Sequence, residues 1–319
     1  MKKKVKMMTK IDFEKLFSVS LSGENGSQRL LDIDSILKIY YGLNNEGCFR
    51  LAFCSSINPP KIESTKQMKV TQGEEKNGVW WTCFDLLKQD ASAAFFAFCQ
   101  NIVEAVINAS GETDALYRLK KRYICWKTLF KNESKTSLPK ETIQGLFGEL
   151  YFLESVMVNI YGYKDSIYGW GGPDATSKDF VIDNNWYEVK TIGTSSPTVK
   201  ISSLAQLSSS IPGHLVIIRV EQMPTAFSNG KSSILELITL LLSQIDDEGL
   251  ENLLLSKISS YGLTLENEEV EMKFDVKANE SYTVADEFPR ITIENNNYPE
   301  ITNASYEISV SAIHRFLED

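Results

Sequence analysis

Asp179, Glu188 and Lys190 are the residues of this chain whose types and spacing could do chemistry. They lie within Ser177-Lys178-Asp179-Phe180-Val181-Ile182-Asp183-Asn184-Asn185-Trp186-Tyr187-Glu188-Val189-Lys190, two alternating runs around an Asx cluster, which predicts a tight β-hairpin. Asn184-Asn185 suits a two-residue loop, because asparagine tolerates the positive φ that a type I′ turn requires at both central positions. That loop sets Val181 opposite Glu188, Phe180 opposite Val189 and Asp179 opposite Lys190. Side chains alternate with period two, so Asp179, Val181, Glu188 and Lys190 share one face, and Phe180, Ile182, Tyr187 and Val189 share the other. One face is then core and the other carries a charged cluster. Two carboxylates and an ammonium on a rigid sheet could hold a hard divalent cation; magnesium favours a few carboxylate oxygens completed by water and substrate phosphate oxygens. The same residues would also suit an ordinary salt-bridged sheet surface, where each cross-strand pair contributes about 0.2–1 kcal/mol.

The elements around the hairpin decide how it is positioned. From Glu141 to Ile160, the residues Leu146, Phe147, Leu150, Leu153, Met157 and Ile160 recur at spacings of three and four, which predicts an amphipathic helix. Glu149 emerges from its largely apolar side, and a buried carboxylate is costly unless it is paired or bound to metal. The alternative is that Glu149 reaches solvent or bonds a backbone amide. Gly145 and Gly148 lower helix propensity, and close approach of the helix to the sheet is the expected reason. After the hairpin, Pro197 to Ile201 reads as a third strand. Ser202 or Ser203 could cap a helix containing Leu204, Gln206 and Leu207, and His214 to Val220 reads as a buried strand.

Gly145-Leu146-Phe147-Gly148-Glu149, then Trp170-Gly171-Gly172-Pro173, Lys178-Asp179-Phe180 and Tyr187-Glu188-Val189-Lys190-Thr191 resemble, in this order, the PD-(D/E)XK nuclease superfamily. They are most similar to a bacterial family of that superfamily associated with restriction and phage defence. The resemblance runs from about Trp126 to the C-terminus and is weaker before it. It implies an α+β / α/β fold with a restriction-endonuclease-like core, αβββαβ, in which a mixed central sheet is flanked by helices. By the same resemblance, Asp179 and Glu188 are the metal-binding acids, Lys190 closes the motif, and Glu149 is the helix-borne acid that completes the site. Pro173-Asp174 spells the literal "PD", so Asp174 stands as an alternative to Asp179; Asp179 is preferred because it lies on the hairpin. Gln206 is the position where a polar residue of the second helix could approach the site, although a surface role suits it as well.

Length and composition set the frame. A chain of 319 residues with 43% hydrophobic residues is long enough for about two domains. The expected division is an N-terminal α+β domain over 1–115, the nuclease-like core with a basic lead-in helix over 116–225, and a C-terminal helical and β extension over 226–319. In the first part, Ile36 to Tyr41 and Cys48 to Cys54 read as a hairpin, Val79 to Phe84 as a strand, and Ala91 to Ala109 as an apolar helix. Lys61 to Asn77 reads as a surface loop with one short strand. In the last part, the capping box Ser233-Ile234-Leu235-Glu236 opens a helix and a second runs from about Leu250 to Ser259. Strands are expected at Val270 to Val276, Tyr282 to Val284, Arg290 to Glu294 and Tyr306 to Val310. No stretch approaches the roughly 18 apolar residues of a membrane span, and the basic start lacks the apolar segment of a secretion signal. Cysteines 48, 54, 83, 99 and 125 form no Cys-x2-Cys pair, and only His214 and His314 accompany them, so a zinc site is not expected and a reduced cytoplasmic location is.

Arg118 to Lys140 holds eight basic residues against one acid, Glu133, on a chain of net charge −9. Such a run is either a phosphate-binding approach or a solvated helix and loop. These readings combine into a magnesium-dependent endonuclease acting on DNA in a restriction or phage-defence system. Manganese could substitute for magnesium, and a helicase, a methyltransferase, other defence-system proteins or a second copy of the chain are the expected partners, with no membrane. The alternative from another class is a catalytically inactive, nuclease-like DNA-binding or assembly subunit of such a system.

Overall fold

The structure is a computed structural model and describes residues 11–20, 24–75, 77–88, 91–129, 138–173, 177–224, 231–245, 247–263, 268–298 and 300–318. The chain forms two compact units, Met1–Glu133 with Thr264–Glu266, and Ser134–Leu263 with Asn267–Asp319. This division differs from the expected three segments in two places. The basic helix expected to lead into the core belongs to the first unit, and the strands expected in a separate extension complete the sheets of the second.

The first unit contains α1 (Phe13–Ser20), β1 (Gln28–Leu30), β2 (Lys38–Leu43), β3 (Phe49–Ser55), β4 (Met68–Glu74), β5 (Trp80–Leu86), α2 (Ser92–Ile107) and α3 (Glu112–Leu129). Its antiparallel sheet runs β1-β2-β3-β5-β4. The predicted hairpin forms with Lys38 opposite Cys54 and Leu43 opposite Phe49. Helix and sheet meet through aromatic rings: Phe84 lies 5.4 Å from Phe98 and 5.3 Å from Tyr123 between centroids. Inside the sheet, Arg50 grips Asp85 through two bonds of 2.6 and 2.7 Å, and Asn44 Nδ2 adds a third donor at 3.2 Å. This satisfies a carboxylate that is 1% exposed, as a buried charge requires.

The second unit begins with α4 (Lys140–Phe152), a π-helical turn at 153–157 and α5 (Val158–Gly169). Leu146, Phe147, Leu150, Leu153 and Met157 are buried as the periodicity predicts, but Ile160 is 59% exposed. The π turn inserts one residue into the helical repeat, so the apolar stripe loses its phase before Ile160. Then come β6 (Phe180–Ile182), β7 (Asn185–Gly193), β8 (Thr198–Ile201), β9 (Gly213–Met223), α6 (Ile234–Gln244), α7 (Glu248–Ser260), β10 (Lys273–Val284) and β11 (Tyr306–Ser309). The central sheet runs β10-β9-β7-β6 and is mixed: β7 lies parallel to β9, and the other pairs are antiparallel. β8 and β11 form a separate two-stranded sheet. Ile201, Leu207, Ile308 and Ile313 pack there against Trp186, Leu215, Ile217 and Tyr282 of the central sheet.

Several expectations change in detail. The strands expected at 270–276 and 282–284 are one continuous strand, β10, and 290–294 is irregular backbone entering a turn at 293 instead of a strand. The capping box of α6 forms as predicted: Ser233 Oγ accepts from Glu236 N, and Ser233 N donates to Glu236 Oε2 at 3.1 Å. The helix expected over 202–207 is a succession of turns. The buried Lys178 fastens these turns, its ammonium donating to the carbonyls of Ala205, Gln206 and Ser208 at 2.7, 2.6 and 3.0 Å. Gln206 is turned back, its Oε1 accepting from Ser202 N at 2.6 Å.

Candidate active site

The hairpin turns one residue earlier than its asparagines suggest. Asp183 and Asn184 take positive φ of 49° and 63°, the type I′ arrangement, so Val181 pairs with Trp186 and Ile182 with Asn185. Asp183-Asn184 and Asn184-Asn185 both suit such a turn, and packing chooses between them. Gly169 admits Ile182, with only 2.2 Å between an added Cβ and Ile182 Cγ1, and Gly213 admits the Trp186 ring in the same way at 2.0 Å. The pairing differs from the expected one by two residues, an even number, so each side chain keeps its predicted face. Extending the register by one residue places Asp179 opposite Glu188 instead of Lys190.

Asp179 stands just before β6. Its Oδ2 accepts from Val189 N at 2.7 Å, and its carbonyl accepts from Gly171 N at 2.7 Å. The Trp170-Gly171 segment therefore fixes Asp179 from outside the sheet while its carboxylate holds β7. Glu188 is 1% exposed. The Lys190 ammonium lies 2.7 Å from Glu188 Oε1 as an ion pair. That oxygen nonetheless accepts no aligned hydrogen bond.

Glu149 is held by α4. The helix lies so close to β7 that a Cβ on Gly148 would come within 1.8 Å of Thr191 Oγ1, whereas Gly145 faces open space; the glycine expectation holds for Gly148 alone. Gln144 Nε2 reinforces the contact by donating to the Thr191 carbonyl at 2.9 Å. Glu149 Oε2 accepts from Trp170 Nε1 at 2.7 Å and from Tyr261 Oη at 2.6 Å, and the two donor rings stack at 6.1 Å between centroids. Lys257 seats this corner by donating to the carbonyls of Ile167, Tyr168 and Trp170 at the end of α5. Glu149, partly buried, thus meets two aromatic donors instead of a backbone amide.

The three carboxylates feel one another. Burial, then the charge of Asp179, pushes Glu149 up to about 8 against the opposing hydrogen bonds of Tyr261 and Trp170. Burial and again Asp179 push Glu188 up to about 8, with Lys190 opposing. Asp179 is raised by burial while Lys190, the Val189 amide and Lys178 pull it down. Burial brings Lys178 down to about 8. Like charges held together in a low-dielectric pocket form a site short of positive charge.

The donor set suits a hard divalent cation: carboxylate oxygens that are buried or partly buried, raised first by burial and, for Glu149 and Glu188, next by the charge of Asp179. Among the described residues, however, no three His, Cys, Asp or Glu side chains converge closely enough to ligate one ion. Each carboxylate is turned instead to its own partner, Asp179 to Val189, Glu188 to Lys190 and Glu149 to Trp170 and Tyr261. The structure thus brings Asp179, Glu188 and Lys190 together and joins Glu149 to them through Asp179. Asp174 lies outside the described residues. Tyr261 escaped sequence reasoning, because a tyrosine at the end of α7 carries no local sign of a partner more than a hundred residues away. Trp170 was visible only as part of the Trp-Gly-Gly-Pro motif.

Among the described residues no helix is long and apolar enough to cross a membrane. No curated protein and no solved structure matches this chain. A family model does, over residues 12–311, with the description "Putative PD-(D/E)XK family member, (DUF4420)". Its extent covers both units and the whole of the carboxylate cluster, and the chain belongs to this PD-(D/E)XK family.

Proposed function

We propose that this chain is a divalent-metal-dependent endonuclease that hydrolyses DNA phosphodiester bonds in a restriction or phage-defence system. One observation carries the reading: Glu188 is buried and paired with Lys190, and Asp179, fixed to the neighbouring Val189 amide, lies near enough to it and to Glu149 of α4 to raise both carboxyls. A purely structural Glu188–Lys190 ion pair gives no reason to bring Asp179 and Glu149 beside it.

In this reading Asp179 and Glu188 hold magnesium, or manganese in its place, and Glu149 completes the set. A divalent cation bound there supplies Lewis acidity to the phosphodiester and to the attacking water. Glu188 and Glu149 keep protons while the pocket lacks positive charge and give them up as they become ligands. Lys190, paired with Glu188, places an ammonium where negative charge develops on the phosphoryl oxygens. Trp170 and Tyr261 orient Glu149 through its Oε2. Purified protein is expected to cut DNA with magnesium or manganese, and Lys190→Ala to abolish cutting with the melting curve preserved. Equal cutting by both proteins sinks the assignment.

A second reading has its own observation in favour. The carboxylates bond protein partners instead of converging on a point, which suits a nuclease-like DNA-binding or assembly subunit without catalysis. Fold alone does not choose between the two. The subunit reading expects DNA binding with no cleavage under any divalent cation.

A further inference from the structure

Helix α3 has two faces. Leu116, Leu119, Tyr123 and Trp126 are buried in the first unit. Tyr117, Lys120, Ile124 and Lys127 succeed one another at spacings of three and four on the other side, where Tyr117 is 60% and Ile124 45% exposed. Lys120, Ile124 and Lys127 form one wall of a cavity of about 370 Å³, and Lys61 and Glu63, from the segment between β3 and β4, form the facing wall. The facing wall is firmly held. Tyr123 Oη donates to the Glu63 carbonyl at 2.5 Å, Ile62 N donates to Gln72 Oε1 at 3.0 Å, and Ser64 Oγ accepts from Val70 N at 2.9 Å.

The cleft holds three ammonium groups and one carboxylate, and that carboxylate is paired: Lys127 Nζ lies 2.9 Å from Glu63 Oε2. Lys61 and Lys120 therefore leave it cationic on a chain whose net charge is −9. The unit that carries the cleft holds 20 Lys and Arg against 16 Asp and Glu, so a polyanion meets a favourable potential here. Alternation of lysines with an exposed aliphatic and an exposed aromatic residue suits a strand that presents phosphates on one side and sugars and bases on the other.

We propose that this cleft is a second nucleic-acid contact, in which Lys61 and Lys120 engage successive phosphates of a single strand while Ile124 and Tyr117 lie against its sugars and bases. The inference rests on the nucleic-acid chemistry proposed for the second unit and extends it to a contact remote in sequence from the carboxylates. It gives the basic helix a role in holding substrate.

The test uses the full chain in EDTA, a fluorescein-labelled single strand of DNA and a salt series read by anisotropy. Two lost phosphate contacts, each contributing about 0.7 to the slope of log affinity against log salt, lower that slope by about 1.4 and weaken binding on the order of twenty-fold near 0.1 M salt. Lys61→Ala with Lys120→Ala should show this loss, and Lys120→Gln alone, the milder change if the double variant unfolds, about half the slope change. Lys38→Ala, on β2 with β3 and β5 between it and β4, removes one positive charge elsewhere and should change little. An unchanged slope in the cleft variants, or an equal loss in Lys38→Ala, overturns the proposal. Release of the strand by millimolar inorganic phosphate at constant ionic strength also overturns it, in favour of a small-anion pocket. Cleavage is scored separately. Cutting by the parent protein with an unchanged cleft slope rejects this contact alone, and the slope change without cutting under any divalent cation rejects the nuclease reading alone.

Discussion

Replacing Glu188 by glutamine keeps the side chain's shape and removes its charge, so it isolates the electrostatic strain of the cluster. Burial, then Asp179, pushes Glu188 from the ordinary 4.5 up to about 8. Below that ordinary value both folded and unfolded chains carry the proton, and Glu188 leaves stability unaffected. Between there and about 8 the unfolded chain has lost its proton while the folded chain retains it, so stability falls as pH rises through this window and levels off above it. The loss amounts to about 3 to 4 kcal/mol between pH 5 and pH 8. Glutamine does not titrate, so Glu188→Gln should gain on the parent protein by about that amount over the same interval, as measured by urea unfolding in EDTA. The absolute difference also contains the altered contact with Lys190, which is why the swing with pH is the readout. A difference between the two proteins that stays flat from pH 5 to pH 8 would refute the reasoning, since it would mean that Glu188 is already ionised at the lower pH.

Further outcomes follow from the packing around the cluster. Tyr261→Phe removes the 2.6 Å donor to Glu149 and is expected to lower stability by about 1–2 kcal/mol, read by urea unfolding, and to reduce cleavage without abolishing it. Gly148→Ala drives a Cβ into Thr191 Oγ1 and should destabilise by about 1–3 kcal/mol; pairing it with Thr191→Ala should recover most of that loss, and additive losses in the cycle would show that the two do not meet. Lys178→Met strips the donor from three carbonyls and should destabilise by roughly 3 kcal/mol or more, with faster amide exchange across 203–208 as the local signature.

The faces of the hairpin were legible in the sequence because alternation depends only on parity. Its register was not, because two overlapping Asx pairs suit the same turn and the choice is made by Gly169 and Gly213, which admit Ile182 and Trp186 from elsewhere in the fold. The helix bearing Glu149 was legible from its apolar spacing as far as Met157. The π turn that exposes Ile160 leaves no local mark. Turns replace the helix at 202–207 and are fastened by Lys178, a residue distant in sequence, so local propensity alone could not foresee them. The acids were found by order and type. Their partners Trp170 and Tyr261 emerge only from the three-dimensional arrangement, as does the assignment of the basic helix to the first unit.

Manganese binding measured by calorimetry at pH 8, with the parent protein beside Asp179→Asn and Glu188→Gln, tests the cation site most directly. The account predicts saturable binding by the parent with release of protons, and loss of that binding in both variants while their fold persists. Binding that is absent from the parent, or equal in all three proteins, would contradict it.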